Sequence, residues 1–292
     1  MTTQHTHNAH HHEHSAGSDD AMTGLLELDG EVLRDYWSAA LDWVASAADG
    51  AGCVLDLGAG TGTGALGLAE RFPQAEVIAV DVEPGSLARL RDKAAGRGLA
   101  DRVRAVEADL DADWPDLGPL DLTWASMSLH HLADPGRVLG DVRVATRAGG
   151  LIAVAEFAEP LRFLRPDLGF GRPGFEDRVL EVLGRAHAEE LPTLGSDWTP
   201  RLADAGWDVI DERQFPIDLD PPTHPRAAEY ARAWFTRLSE GSADQLEPDD
   251  QATLTALLAA LPAGKGPGPV PDPAQLHIRG IRTVTLARRA DA

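Results

Sequence analysis

The stretch Val54-Leu55-Asp56-Leu57-Gly58-Ala59-Gly60-Thr61-Gly62-Thr63-Gly64 has the plainest chemical content of the chain: an apolar, strand-like run opens into a glycine-rich turn that begins a helix. Glycine permits tight turns and lets a ligand lie directly against main-chain N–H groups. A second apolar run, Val77-Ile78-Ala79-Val80, closes on Asp81. An ionised carboxylate at such a strand tip has two oxygens with which to accept both hydroxyls of a ribose. Together these features imply a nucleoside-bearing ligand. No Gly-Lys-Ser/Thr follows the glycines, which excludes a phosphate-binding P-loop. Gly60-x-Gly62-x-x-Ala65 is a variant of the dinucleotide fingerprint, so this motif alone leaves an NAD-type ligand open. Asp56 tells against it, because a carboxylate at the mouth of the loop repels a pyrophosphate and helps hold a cationic amino-acid end.

These residues need strands that end side by side. Cys53–Leu57, Val77–Asp81, Val103–Val106, Leu120–Ala125 and Leu151–Ala155 read as strands, and helical spacing of apolar residues fills the gaps between them. Asp134-Pro135 reads as the N-cap and first turn of the helix before Leu151. The alternation predicts parallel βαβ units in an α/β, doubly wound sheet, whose ligand crevice lies at the strands' carboxyl ends. An amphipathic helix precedes the first strand between Glu31 and Ala48, and Trp207–Phe215 and His277–Ala287 read as two further strands. The expected organisation is a disordered, His-rich tail over residues 1–22 and a single domain over 23–292. Its core is 50–160, 199–219 and 276–288, and insertions at 161–198 and 220–275 form a helical cap.

Composition removes other classes. Acidic residues outnumber basic ones 47 to 26, a formal charge of −21, which argues against nucleic-acid partners and anionic membrane surfaces. The single cysteine, Cys53, excludes an internal disulfide framework and any Cys-rich zinc site. No apolar run approaches the length of a membrane span and the polar first residues lack a secretory signal, so a cytoplasmic protein is expected. His5, His7, His10, His11, His12 and His14 are capable of loose metal binding, but a biased tract of this kind builds no packed site, and no metal is expected. Oligomeric state is not legible.

The acidic-x-Gly-x-Gly-x-Gly motif from Asp56 to Gly62 resembles that of class I S-adenosylmethionine-dependent methyltransferases. The likeness covers most of residues 50–160, and the last two strands fit that family's terminal hairpin, which implies a Rossmann-like sheet of seven strands with an antiparallel last strand. The resemblance implies S-adenosyl-L-methionine as cofactor. It places Gly58, Gly60 and Gly62 near the methionine part, Asp81 on the ribose hydroxyls, Val82 on adenine and Asp109 at the adenine amino group, with Asp56 and Leu110 also in the expected cofactor-binding set.

The run Ser126-Met127-Ser128-Leu129-His130-His131-Leu132-Ala133-Asp134-Pro135 is similar to one that many small-molecule members carry after the fourth strand. It puts Ser126, His130 and His131 beside the donor methyl, with Ser126 and His131 in the cofactor-binding set. In one group of O-methyltransferases the His of a similar run is the general base, and the spacing from Asp134 places His130 there, although Leu132 replaces the Trp of that run. The expectation is methyl transfer to a small organic acceptor, by O-methylation. The alternatives are an NAD-dependent oxidoreductase and a non-catalytic S-adenosylmethionine-binding protein. Tyr36, Trp37, Trp198, Trp234 and Phe235 are candidates for an acceptor pocket or for core, and Glu156 faces the crevice by topology. His187, His224 and His277 read as isolated surface or packing residues.

Overall fold

Parallel strands buried on both faces need continuous apolar runs, and the central strands have them. In the computed structural model, which describes residues 16–220, 222–261 and 276–290, these runs form β1 (Cys53–Leu57), β2 (Glu76–Asp81), β3 (Val103–Glu107) and β4 (Leu120–Ser126). They are joined by β5 (Thr146–Leu164), β6 (Asp208–Leu219) and β7 (Leu276–Arg288) in one seven-stranded sheet of order β3-β2-β1-β4-β5-β7-β6. All neighbours pair in parallel except β7, which runs antiparallel to both β5 and β6. The expected Rossmann-like sheet with an antiparallel last strand is what forms. The tips of β1 and β4 meet at its centre, where the strand order reverses and a doubly wound sheet opens its crevice.

Helices α3 (Thr63–Arg71), α4 (Pro84–Gly96) and α2 (Arg34–Ala47) cover one face over a core that includes Leu41, Leu68, Val77 and Trp124. Helices α5 (Pro135–Ala145) and α7 (Trp198–Asp204) cover the other, over Leu55, Ile78, Val138 and Ile152. The predicted cap of α5 is present: the Asp134 carboxylate accepts from Arg137 N at 2.9 Å, and Pro135 opens the helix. β6 is an edge strand, mostly exposed and rich in charged residues, a composition that discourages edge-to-edge pairing.

Two boundaries differ from expectation. Helix α1 (Ala16–Val32) begins inside the segment read as tail. It carries Gly24 and Gly30, each costing a helix about 1 kcal/mol, which hides it from sequence patterning. Packing explains one of them, because a Cβ at Gly30 would lie 2.5 Å from Thr63 Oγ1. β5 runs on past Ala155 to Leu164, so residues 161–164 belong to the sheet and not to the cap. The ladder with β7 continues there through register shifts, ending on Leu164↔Leu276. The cap itself is α6 (Phe175–Glu190), α8 (Ala227–Ser242) and α9 (Pro248–Ala260), held by packed rings of Phe163, Phe175, Tyr230, Trp234 and Phe235. The six tail histidines and the Pro262–Pro273 connection lie outside the described residues.

Candidate functional site

The β1–α3 turn forms a cradle. Gly58 has φ 71°, a left-handed backbone that side chains rarely adopt, and a Cβ there would lie 2.3 Å from the Ser128 Cβ. Ser128 Oγ in turn donates to Leu57 O at 2.8 Å, tying the loop after β4 to the tip of β1. Gly58 N and Ala59 N donate to Val80 O at 2.9 Å, and Gly60 N donates to Asp81 Oδ2 at 2.7 Å. Asp81 Oδ1 accepts from Glu83 N at 2.9 Å. Each carboxylate oxygen keeps a further acceptor position, so two amides orient Asp81 and leave it able to take two hydroxyls.

Beside Asp81, Val82 is 62% exposed, one of few large apolar side chains so uncovered, and this suits a flat ring laid on it. Asp109 is exposed past the tip of β3, with Oδ1 accepting from Asp111 N at 2.9 Å. Leu110 turns its side chain into the core beneath α5, and its carbonyl accepts from Arg137.

Asp56 does not sit at the mouth of the loop. Strand alternation points it under α3, where it is 2% exposed. A Cβ at Gly64 would lie 2.7 Å from Asp56 Oδ2 and 2.9 Å from Trp124 Nε1. Burial raises the Asp56 carboxyl pKa to about 7, against a hydrogen bond from the Ala65 amide that lowers it, while the Asp81 charge adds to the rise. An acid that keeps its proton to about pH 7 when folded, and to only about pH 4 when unfolded, stabilises the fold at low pH. That contribution is complete below about pH 4 and is lost as pH rises through about 7. The ligand-free protein is therefore expected to lose stability across this window, and Asp56→Asn to flatten the slope in urea denaturation at several pH values. Glu176, also raised by burial to about 7, acts with the same sign, so some slope remains. An Asp56→Asn slope identical to the parent's would contradict the assignment.

The segment after β4 borders the glycine cradle. Met127 takes φ 56°, the one positive φ outside glycine among the described residues, and its amide donates to Ala155 O at 2.9 Å. Backbone strain of this kind concentrates at functional sites. A short turn, Leu129–His131, then delivers two histidines whose rings lie 4.2 Å apart. His130 is 5% exposed and Glu156, just past the tip of the parallel part of β5, is 2% exposed. His130 Nδ1 and Glu156 Oε2 are 2.7 Å apart. With Glu156 as the acceptor of this bond, the proton sits on Nδ1 and Nε2 is the acceptor of the ring.

His131 differs. Loss of water around its ring pushes its pKa down to about 4, and His130, Arg237 and His187 add to the fall, although the ring still borders open space. His187, read from sequence as isolated, is thus within electrostatic reach of His131. Thr193 Oγ1, just past α6, donates to His130 O at 3.4 Å and brings the cap to the histidine turn.

A wall of α1 and α2 closes the crevice. Leu26 of α1 stands over Gly60, with its Cδ1 3.1 Å from where a Cβ would be. Asp29 of α1 accepts from Arg282 Nη2 at 2.5 Å, Arg282 Nη1 at 3.2 Å, Tyr230 Oη at 2.7 Å and Trp37 Nε1 at 2.9 Å. Sequence reasoning singled out neither Asp29 nor Arg282, because they lie on the first helix and the last strand. Of the aromatic candidates, Trp198 lies in the core under α7 and Phe235 in the cap interior, while Tyr36 and Trp37 stand at the crevice wall, with Trp37 6.3 Å from Trp124. Among the described residues no group of His, Cys, Asp and Glu is arranged to hold a metal, and no helix is long and apolar enough to cross a membrane.

The cradle, the oriented acid at the tip of β2 and the crevice at the strand reversal define a nucleoside-binding α/β domain, and residues 54–150 match the methyltransferase domain family. Residues 54–150 thus carry a methyltransferase domain of the kind the glycine motif resembles. The chain is 41% identical over 135 residues to the demethylmenaquinone methyltransferase of Thermus thermophilus, covering 45% of this chain and 57% of that one. It is 38% identical over 107 residues to the malonyl-[acyl-carrier protein] O-methyltransferase of Laribacter hongkongensis, covering 35% of this chain and 36% of that one. A crystal structure from Bacillus halodurans, described as a methyltransferase, superposes with a TM-score of 0.56 at 18% identity, covering 87% of this chain and 99% of that one; at this identity the likeness is one of fold. The chain spans 57% and 36% of the length of these two curated relatives.

Proposed function

We propose that the protein transfers the methyl group of S-adenosylmethionine to a hydroxyl of a small organic acceptor enclosed beneath the cap. The observation that carries this reading is the buried His130–Glu156 pair, 2.7 Å apart, just past the ends of β4 and of the parallel part of β5, which follow β1 and its glycine cradle in the sheet. In it, Gly58, Gly60 and Gly62 leave room for the methionine part, Asp81 accepts the ribose hydroxyls, Val82 packs on adenine, and Asp109 meets the adenine amino group. Ser126 and His131 stand beside the reacting centre. The bound cofactor supplies an electrophilic methyl carbon on a sulfonium. What remains for the protein is alignment and deprotonation, and alignment alone is worth roughly 7–11 kcal/mol as effective molarity.

His130 is the base in this reading because its Nδ1 proton is held by Glu156 and its Nε2 is free to take the proton of the acceptor hydroxyl. His131 is the poorer choice, since a pKa of about 4 makes it a weak base at neutral pH. The O-methyltransferase among the relatives is consistent with an oxygen acceptor, and both relatives are named for acceptors other than nucleic acid.

Thermal unfolding tests the reading. S-adenosylhomocysteine at about 100 times its Kd should stabilise the protein by about 2.7 kcal/mol, and NAD should leave it unchanged. Asp81→Ala should weaken that binding by about 1.5–3 kcal/mol, the worth of hydrogen bonds to a charged group. Stabilisation by NAD instead would move the protein to the oxidoreductases. Binding without transfer of label to any acceptor in a metabolite extract would make it a non-catalytic binder.

A further inference from the structure

One wall beside the tip of β4 holds three buried hydrogen-bond donors without a well-formed bond. Arg282 is 3% exposed and Tyr36 6%, and Arg282 Nε, the Tyr36 hydroxyl and Ser126 Oγ have no partner at full hydrogen-bond geometry, Tyr36 making only weak contacts with the other two. They form a row. Ser126 ends β4, the Tyr36 phenol faces Ser126 and Arg282, and the Arg282 guanidinium lies 4.7 Å from the Tyr36 ring centroid and 5.8 Å from that of Phe157. Phe157 and Arg282 are register partners where β5 and β7 pass beyond the parallel sheet. The row thus leads from the strand tip beside the reacting centre outward over β5 to β7.

Buried donors are almost always satisfied, so several poorly satisfied ones along one wall call for a ligand atom that answers them. The Arg N–H is a donor only, and burial raises the Tyr36 phenol above its ordinary pKa and keeps its proton in place. The complementary group is therefore an oxygen that accepts. Asp29 already neutralises Arg282 by engaging both Nη atoms, so the row offers donors without net positive charge. A second carboxylate brought into this dry wall would face the Asp29 charge, whereas an uncharged carbonyl oxygen would not.

We infer that Arg282, Tyr36 and Ser126 form a subsite for an uncharged carbonyl oxygen of the methyl acceptor, flanked by the rings of Tyr36 and Phe157. The inference rests on the methyl-transfer reading and narrows its acceptor to hydroxy compounds that carry a ketone or similar carbonyl on a flat ring.

The test titrates the S-adenosylhomocysteine-loaded protein with three phenols that differ in one substituent: 4-hydroxyacetophenone, 4-ethylphenol and 4-hydroxybenzoate. The ketone should bind about tenfold or more tightly than the ethyl compound, the worth of one good hydrogen bond to a charged donor. Tyr36→Phe should shrink that ratio toward one while leaving S-adenosylhomocysteine affinity unchanged. Equal binding of ketone and ethyl compound, or binding of none of the three by the loaded protein, overturns the subsite. Tightest binding of the benzoate overturns its preference for an uncharged oxygen. If Tyr36→Phe instead weakens S-adenosylhomocysteine, the donors serve the cofactor's own carboxylate and the assignment to the acceptor falls. A parent protein that binds no S-adenosylhomocysteine at all refutes the methyl-transfer reading itself, a distinct failure.

Discussion

His130→Ala should lower kcat by about 10²–10⁴-fold, the usual range for removing a positioned general base, and leave S-adenosylhomocysteine affinity intact. This corresponds to about 2.7–5.4 kcal/mol of barrier, more than loss of a buried side chain at a pocket wall would remove from catalysis alone. The separation of the two readouts follows from the geometry. His130 hangs from the turn after β4 and is held by Glu156 from β5, whereas the cradle is fixed by its own bonds to Val80 and Asp81. Glu156→Gln keeps the shape of the side chain and removes the charge that stabilises a protonated His130. It should fall between the parent and His130→Ala, since the ring keeps a neighbour but loses its counter-charge. Label transfer from S-adenosylmethionine to extract acceptors and calorimetric titration with S-adenosylhomocysteine give the two readouts. Full transfer by His130→Ala would mean that the acceptor arrives ionised, or that the atom methylated needs no base, and would reduce the pair to packing.

What the sequence disclosed of this site follows the reach of local physics. The strand-to-glycine run and the acid closing β2 are each set within a few residues, and the Asp134 cap is a bond to the amide of Arg137. Pairings across the chain are a different matter. Glu156 meets His130 only because β5 lies beside β4, and no periodicity announces a partner 26 residues away. Asp29 and Arg282 are 253 residues apart and meet only when the sheet closes with β7. Side-chain direction was the subtler loss. A one-residue change of face decides whether a strand-tip side chain lines the crevice or a core, which is why Leu110 turns inward and Asp56 hides under α3 while Asp81 and Val82 stand at the crevice. Helix α1 was hidden for a third reason: its glycines and acids give weak helical patterning, and its stability comes from what it packs on. Leu28, Val32 and Leu33 lie in the main core, and Glu31 pairs with Arg226 of the segment before α8 at 2.6 Å.

Asp29→Asn should destabilise the protein by about 3–5 kcal/mol, the range measured when one member of a buried ion pair is removed. The side chains of Arg282 and Asp29 are 4% and 15% exposed, so the substitution leaves a guanidinium in the interior with no counter-charge. It also weakens two hydrogen bonds from neutral donors to that carboxylate, from Tyr230 and from Trp37, that join α1 to α8 and α2. Urea denaturation should show a lower midpoint with the slope unchanged, as for a loss of stability without a change in the surface exposed. Replacing the pair together, Asp29→Leu with Arg282→Met, should restore most of the loss, because a buried pair exchanged for apolar groups of similar volume is often neutral. The pH dependence has a defined sign. Burial alone would raise the Asp29 pKa, but the Arg282 charge and the hydrogen bonds from Arg282, Tyr230 and Trp37 outweigh it and hold the carboxyl below its ordinary range. Stability from a depressed acid is present above the unfolded value, near pH 3.9, and is lost as pH falls through the folded one. The difference between parent and Asp29→Asn should therefore hold steady from neutral pH down to about pH 4 and shrink below it. An unchanged midpoint would mean that apolar contacts alone dock α1. A lowered one means that the helix standing over Gly60 is fastened by charge to the strand that carries Arg282.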